Sequence, residues 1–466
     1  MPTVCVVGGG IGGLATAAAL IHVAGYEDVC ILEKRRCNPS KGAASAAVQL
    51  GPNGLRALRA IGGEKFLEEV LHHGSTLEGN IVYPPPAPLG GSPTQSYIYT
   101  SRTNTDNISL DNLPELMIRW DVLHSLLRTL LPPSVEVQSQ VGQDIAGYHL
   151  LAGTSQEDDK EVVFKPTVEL INIDQQTIVI PNRENRFSLV VAADGINSLF
   201  RSLVHANQTI ATNPQMSCRE NIQDLGRINW KAVVPLELSE CINPDHFRYN
   251  TTYCYFPPQS GIACFAGPAG KGYTYWAVSM MTTTADSVVK EPAQVENGRQ
   301  DQEIPSYFGW DISVQLESTQ EAIKERLLDL LTSKLNTPPE WDFIVPLITK
   351  TDASSLRMIR SEEVPINDNS LVSTDGCVVL VGDAAHAMSA SYGQAASFAL
   401  EDAVTLAVCL RDNPIDKVTS ALHEYSQRRV SRCLEMQRQA ADRATKQLRG
   451  EPTEDISSWI YQWSIE

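Results

Sequence analysis

Four short apolar runs along the chain predict strands that are buried on both faces. They cover residues 4–7, 29–32, 187–193 and 377–381, and they lack the polar alternation of a half-exposed strand. Between the first two runs, the Ala-rich residues 14–23 have the composition of a helix. This pattern predicts an α/β unit built on a parallel sheet.

The remaining pattern divides into helical and β segments. Apolar residues recur at helical spacing over 52–61, 64–72, 116–131, 321–335, 395–410 and 420–448. Short aromatic-rich runs with Gly and Pro between them predict antiparallel strands at 230–236, 252–256, 262–266 and 273–280. We therefore predict a discontinuous first domain of residues 1–82, 112–204 and 351–466, and a β-sheet domain of residues 83–111 and 205–350.

A glycine motif joins the first predicted strand to its helix. The G-x-G-x-x-G spacing falls on Gly8, Gly10 and Gly13, and Glu33 ends the next strand about 20 residues later. The first glycine allows a tight turn, the second lets backbone approach a pyrophosphate, and the third lets the helix pack on the strand. A carboxylate at Glu33 can bind ribose hydroxyls, so we predict a dinucleotide site. These residues alone leave NAD and FAD open.

The composition of the chain limits its partners and its location. A formal net charge of -18 over 466 residues argues against nucleic acid or an anionic membrane as a partner. No apolar run is long enough to span a bilayer, and the first strand begins too close to Met1 for a signal peptide. The ten cysteines show no metal-binding spacing. We expect reduced cysteines, no metal and a cytoplasmic protein that is a monomer or homodimer.

Three stretches together resemble one family of flavoproteins. They are the glycine motif ending at Glu33, the strand end Asp194-Gly195, and residues 382–386 followed by 393–394 and 401–403. In order and spacing they are similar to the FAD-dependent monooxygenases of the para-hydroxybenzoate hydroxylase type. The resemblance implies an α/β fold with a Rossmann-like FAD-binding domain (GR2/PHBH-type), an inserted mainly antiparallel β-sheet substrate domain and C-terminal helices.

The same resemblance implies which residues bind FAD. Asp383, at a predicted strand end, can accept a hydrogen bond from a ribityl hydroxyl. Arg119 is expected on the flavin side, Asp194 beside both FAD and the nicotinamide cofactor, and His386 in a structural role. The predicted cofactor-binding residues are Gly8, Gly10, Ile11, Gly13, Glu33, Lys34, Arg119, Asp194, Gly382, Asp383, Ala384, Gly393, Gln394, Ala395 and Ala396.

The chain departs from the family pattern in two places. Beside the expected ring position, a usual proline near Ser389 is absent and Gly-Gln-Gly is replaced by Gly393-Gln394-Ala395. Residues 341–346 half resemble a halogenase stretch, and we interpret them as core packing.

The resemblance implies a flavin monooxygenase. NADPH or NADH would dock transiently and reduce FAD, and O2 would add to the flavin C4a. The hydroperoxide would then hydroxylate or epoxidise a small organic substrate, aromatic or polycyclic/isoprenoid. Baeyer-Villiger insertion occurs on the same architecture and stays open. The alternatives are an FAD oxidase or dehydrogenase without oxygen insertion, and a non-catalytic flavoprotein.

The catalytic residues are not evident from the sequence, and tyrosines are the candidates. Strand alternation suggests that Tyr253, Tyr255, Tyr273 and Tyr275 share a face, with Trp276 on the other. We expect the tyrosine face to line a pocket beside residues 389–394, with Tyr392 as a further candidate. Ordinary sheet packing is the alternative for each of them.

Overall fold

Helices and strands alternate through the computed structural model, which describes residues 4–33, 46–83, 98–101, 111–132, 135, 137–139, 162–164, 185–187, 189–198, 200–201, 204, 221–257, 260–282, 317–335, 342–366, 371–374, 376–413, 417–449, 451 and 453–465. The strands are β1 (Val4–Val7), β2 (Val29–Glu33), β3 (Ala47–Leu50), β4 (Ser75–Leu77), β5 (Gly79–Tyr83), β6 (Ile98–Ser101), β7 (Glu115–Arg119), β8 (Val137–Ser139), β9 (Val162–Phe164), β10 (Asn185–Phe187), β11 (Leu189–Ala192), β12 (Gln223–Val234), β13 (Thr251–Tyr255), β14 (Ile262–Pro268), β15 (Thr274–Met281), β16 (Arg357–Glu363) and β17 (Val378–Leu380). The helices are α1 (Ile11–His22), α2 (Pro52–His73), α3 (Trp120–Thr129), α4 (Glu317–Lys334), α5 (Ile344–Lys350), α6 (Asp383–His386), α7 (Ala395–Asp412), α8 (Val418–Arg449) and α9 (Ser457–Tyr461).

The first sheet is parallel and has the strand order β17-β11-β1-β2-β8. All four predicted apolar runs form strands of this sheet. Their side chains join those of α1 and α7 in one apolar cluster, which explains why these strands carry no polar positions. The α/β prediction is therefore confirmed.

The second sheet has seven strands in the order β16-β12-β15-β14-β13-β5-β6. All its pairings are antiparallel except β13 with β5, so the prediction of a mainly antiparallel sheet is confirmed. Apolar residues of α4 and α5, among them Leu327 and Leu347, cover one of its faces. Two of its strands, Gly79–Tyr83 and Arg357–Glu363, lie outside the segments 83–111 and 205–350 predicted for this domain, because strands far apart in sequence pair here.

A small antiparallel sheet of β3, β7 and β4 lies beside the second sheet. A Cβ placed on Gly267 of β14 would lie 3.4 Å from Sδ of Met117 in β7. The sequence predicted a helix over 116–131, but its first residues form strand β7 and the helix begins at Trp120. Hydrogen bonding of β7 to β3 and β4 overrides the helical spacing here.

The other predicted helices are confirmed with small changes at their ends. The two predicted over 52–61 and 64–72 form one segment, Pro52–His73, whose backbone is not helical at Gly63 (φ 78°). Among the described residues, no helix is both long and apolar enough to cross a membrane. The cysteines in the described ranges are free thiols.

Candidate active site

The three glycines of the motif lie at the carboxyl end of β1, where each meets a different environment. A Cβ on Gly8, whose φ is +106°, would lie 2.2 Å from the carbonyl oxygen of Ala193, and one on Gly13 would lie 1.8 Å from that of Gly8. A Cβ on Gly10 would meet no protein atom within 4 Å. The protein's own packing therefore requires Gly8 and Gly13, whereas Gly10 leaves an open space into which a side chain would project.

Glu33 at the end of β2 is held next to this turn. Its Oε2 accepts a hydrogen bond of 2.7 Å from the backbone N–H of Gly9. Ile11 is buried at the start of α1, and Lys34 lies outside the described residues. The carboxylate thus stands where the ribose of a dinucleotide bound at the turn would lie.

The end of β17 forms a second part of the site at the same edge of the sheet. Gly382 has a φ of +60° and precedes Asp383, the first residue of α6. The Asp383 side chain is exposed. Desolvation by the surrounding protein raises its pKa, against the opposing effect of His386, Lys231 and Arg201. Because it is exposed, this carboxylate can accept a hydrogen bond from a hydroxyl of a bound molecule.

Arg201 joins two of the sequence motifs. The residue is buried, and its guanidinium donates to the carbonyl oxygens of Ala384 (3.1 Å) and Ile196 (2.6 Å). It thereby holds α6 against the turn that begins at Asp194. The sequence placed Arg201 after this turn but gave no signal for the contact.

A buried charge network lies under α6. Oδ2 of Asp402 accepts a hydrogen bond from the backbone N–H of Gly382 (2.8 Å) and lies 2.6 Å from Nε2 of His386. Its Oδ1 accepts a 2.6 Å bond from Nε of Arg429. Burial alone would raise the pKa of Asp402, but His386 and Arg429 lower it to about 2. Asp402 is therefore an anion that fixes the end of β17.

Glu401 extends the network towards the start of α7. It receives hydrogen bonds from Arg429 (2.5 Å), from Arg432 (2.7 and 2.8 Å) and from Asn53 (2.7 Å). Burial opposes ionisation of Glu401, but the two arginines lower its pKa. Asn53 also donates to the side-chain oxygen of Gln394 at 3.2 Å. The network therefore reaches the loop predicted to pass beside the flavin.

His386, Asp402 and Cys433 bring potential metal-ligand atoms within 4.8 Å of one another. The guanidinium of Arg429 already contacts two of them, Asp402 and, at 3.5 Å, Sγ of Cys433. Because a cationic side chain occupies this position, the group is better explained as part of the charge network than as a metal site.

The loop at residues 389–396 is fixed from inside the protein. Gly393 has a φ of +65°, and a Cβ on it would lie 3.0 Å from the side chain of Gln49. Gln394 is buried, whereas Ala395 and Ala396 are partly exposed at the start of α7. The backbone of this turn, rather than the Gln394 side chain, is thus the part that a bound ring would meet.

Arg119 links the small sheet to the second sheet. Its guanidinium carbon lies 4.1 Å from the centre of the Tyr273 ring, and Nε lies 3.3 Å from Oδ1 of Asp121. This stacking fixes both Arg119 and Tyr273 at the boundary between the two sheets.

The tyrosines do not share one face, so that prediction is wrong. In β13, Tyr253 and Tyr255 are buried under α5, and the Tyr253 ring lies 6.1 Å from that of Phe343. Tyr253 pairs with Ala266, which in turn pairs with Trp276 of β15. Tyr253 and Tyr255 therefore lie on the Trp276 face.

Tyr275 alternates with Trp276 and lies on the opposite face of the sheet. Tyr392 is also buried, and its hydroxyl donates to the carbonyl oxygen of Glu454 at 3.1 Å. Its ring lies under the guanidinium of Arg443, 4.1 Å away. Of the five candidate tyrosines, Tyr275 is thus the strand residue that points away from α4 and α5, and Tyr273 is the one that contacts Arg119.

A family model described as "FAD binding domain" matches residues 331–440, which include Asp383, the 389–396 loop and the charged residues of the network. A relative named 3-hydroxybenzoate 6-hydroxylase, from Polaromonas naphthalenivorans (strain CJ2), is 24% identical over 99% of this chain and 96% of its own length. These matches support the predicted similarity of the chain to the FAD-dependent monooxygenases of the para-hydroxybenzoate hydroxylase type.

Solved structures with low sequence identity share the fold of this flavoprotein. CtdE in complex with FAD and substrate 4 has a TM-score of 0.68 at 16% identity, covering 100% of this chain and 96% of that one. HpxO of Klebsiella pneumoniae with FAD and uric acid has a TM-score of 0.60 at 19% identity, covering 96% and 88%. The predicted fold class of the flavoprotein is therefore confirmed.

Sequence reasoning gave no signal for one residue that interacts with Asp383, Lys231 of β12. Burial lowers the pKa of Lys231 to about 8, and the charge of Asp383 opposes this shift. A lysine in the middle of a predicted strand gives no local signal. Its alternation with the buried Trp230 and Ala232 was the only hint that it faces the other way.

Proposed function

We propose that this flavoprotein is an NAD(P)H-dependent monooxygenase that inserts one atom of O2 into a small organic substrate. The observation that carries the proposal is that Gly10, Glu33 and Asp383 lie at the carboxyl ends of β1, β2 and β17, three strands of one parallel sheet. A dinucleotide would bind along these three residues, and we place the substrate against the face of the second sheet that bears Tyr275.

Several of the described residues could each bind a different part of FAD. Glu33 would bind the adenosine ribose, the backbone at Gly10 would lie against the pyrophosphate, and Asp383 would accept a hydrogen bond from the ribityl chain. Bound FAD would supply the two-electron chemistry that the side chains lack. The backbone of residues 393–395 would orient the ring, and the two sheets would exclude water from it.

The sequence contains no second glycine motif that could bind a nicotinamide cofactor. We therefore propose that NADH or NADPH docks transiently at the flavin rather than in a domain of its own. The relative named as a 3-hydroxybenzoate 6-hydroxylase supports hydroxylation of an aromatic ring over epoxidation.

The rival function is an FAD oxidase or dehydrogenase that removes hydride from its substrate. Stopped-flow reduction of the FAD-loaded protein without O2 separates the two. We expect NADH or NADPH to reduce the flavin, faster when a substrate is bound, and the substrate alone to leave it oxidised. Reduction by a substrate in the absence of NAD(P)H would favour the oxidase. The matched control is Asp383→Ala, in which FAD loading itself should fail.

A further inference from the structure

Lys231 lies on the face of β12 that points away from helices α4 and α5. Its neighbours Trp230 and Ala232 are buried in the apolar cluster with those helices. Successive side chains in a strand point to opposite faces. Lys231 pairs with Ala277 of β15 and with Arg357 of β16. We call this side of the sheet the lysine face.

Two aromatic rings share the lysine face. Phe265 of β14 pairs with Ala277, and Tyr275 lies two residues from Ala277 on the same strand. The Phe265 and Tyr275 rings lie 6.0 Å apart, tilted by 58°. An ammonium group and an aromatic pair are thus presented together around the small side chain of Ala277.

The lysine face is turned towards the start of α6. The carboxylate of Asp383 is close enough to act on Lys231, and Lys231 acts in return on Asp383. In the proposed function, Asp383 accepts a hydrogen bond from the ribityl chain of FAD. If Asp383 binds the ribityl chain as proposed, the ammonium group lies on the side of the second sheet that faces the flavin.

The other ionisable groups around Lys231 have their own roles. Arg357 is buried and donates to the backbone carbonyl oxygens of Ser354 (3.0 Å) and Leu356 (2.9 Å). Burial raises the pKa of Tyr275, so its hydroxyl stays neutral. Among the residues that the structure describes, the charges that face Lys231 include Asp383 on α6, with His386 and Arg201 behind it, and Arg357 on β16.

We propose that Lys231 is a substrate-binding residue that pairs with an ionised oxygen of an aromatic substrate, whose ring packs on Phe265 and Tyr275. This inference rests on the proposed function and narrows it: the substrate is an aromatic acid or an acidic phenol, and not a neutral isoprenoid.

The test measures the binding of small-molecule probes to the FAD-loaded protein, by calorimetry and by the change in flavin absorbance. The probes are benzoate, 3-hydroxybenzoate and indole-3-carboxylate, each beside its neutral methyl ester. We expect at least one acid to bind more tightly than its ester. Lys231→Met should weaken the binding of that acid by about thirtyfold or more and change the binding of its ester by no more than about twofold. Lys231→Arg should restore the affinity for the acid.

The pH dependence adds an independent readout. Binding of an acid requires the ammonium form, so wild-type affinity should be constant below the pKa of Lys231, about 8, and fall above it. In Lys231→Arg the fall should move to higher pH, and in Lys231→Met it should disappear. The lysine pKa can be read directly by NMR of the isotopically methylated, FAD-loaded protein.

Several results would overturn the inference. They are esters that bind as tightly as their acids, a panel in which no acid binds, and an acid affinity that Lys231→Met leaves unchanged. Because binding needs no turnover, acid-selective binding without NAD(P)H oxidation would refute the proposed function while leaving the role of Lys231 intact.

Discussion

Three glycines at one turn, Gly8, Gly10 and Gly13, have separable physical roles. A side chain on Gly8 or Gly13 would enter the protein backbone, whereas one on Gly10 would enter open space. The sequence motif correctly predicted the tight turn at Gly8 and the close helix packing at Gly13, because the spacing itself encodes both, whereas the pyrophosphate role of Gly10 stays a prediction. The motif did not reveal that, of the three glycines, only Gly10 can be substituted to test cofactor binding without also disturbing the fold.

Gly10→Val should abolish most FAD binding without unfolding the protein. The new side chain would occupy the space assigned to the pyrophosphate, while the fold loses no contact. Gly13→Ala, the matched variant, should destabilise the protein by about 1–3 kcal/mol or more, since its Cβ collides with backbone. FAD titration by fluorescence and thermal unfolding of the FAD-free proteins measure the two effects. Wild-type FAD affinity in Gly10→Val would place the pyrophosphate elsewhere.

The buried charges of Asp402 and Arg429 depend on each other. Asp402→Asn removes the anion and leaves Arg429 buried with less compensation, so we expect a loss of about 3–5 kcal/mol in the free energy of unfolding. The control is Asp412→Asn, which breaks an exposed pair with Arg411 and should change stability by less than about 0.5 kcal/mol. Urea unfolding measures both. Equal effects would show that the network does not support the end of β17.

The strands of the second sheet show what sequence alternation can and cannot predict. Alternation correctly grouped Tyr253 with Tyr255 and set Tyr275 against Trp276. It could not align one strand with the next, because register depends on hydrogen bonding between distant segments. Pairing of Tyr253 through Ala266 to Trp276 decides that the tyrosines lie on opposite faces.

Tyr275→Phe and Tyr253→Phe should therefore have opposite consequences. Tyr275 lies on the lysine face, so loss of its hydroxyl should raise peroxide release per NAD(P)H consumed while stability stays near wild type. Tyr253 accepts a 2.6 Å bond from the N–H of Arg248 and is buried, so its loss should cost about 1 kcal/mol and leave coupling unchanged. Peroxide assays and urea unfolding distinguish them. Uncoupling in Tyr253→Phe alone would reverse the assignment of faces.

At the scale of the whole molecule, the parallel sheet was readable because four of its five strands, all except β8, lie in continuous apolar runs that end at or near a glycine or an acid. The boundaries of the second sheet were not readable. Strands β5 and β16 join it from segments far apart in sequence, and nothing local to Gly79–Tyr83 signals a partner at Thr251–Tyr255. The motifs pointed to candidate cofactor-binding residues, whereas no motif marked Lys231, whose interaction with Asp383 arises only in the folded chain.

The stability of the whole protein should depend on acid pH through the charge network. The folded pKa of Asp402, about 2, lies below that of an unfolded aspartate, about 3.9. Asp402 therefore contributes about 2 kcal/mol that is present above roughly pH 4 and is lost as the pH falls towards about 2. The lowered pKa of Glu401 acts in the same direction. Urea midpoints measured from about pH 5 downward should fall, and midpoints that stay level to about pH 3 would contradict this account.

The fate of O2 tests the central claim, oxygen insertion at the FAD site, most directly. The FAD-loaded protein is incubated with NADH or NADPH, isotopically labelled O2 and a panel of phenols, aromatic acids, indoles and terpenoids, and the products are weighed by mass spectrometry. The account predicts one labelled oxygen atom in the product of an acidic aromatic, and no product from Asp383→Ala. A product oxidised without label, or label found only in peroxide and water for every compound, would contradict it.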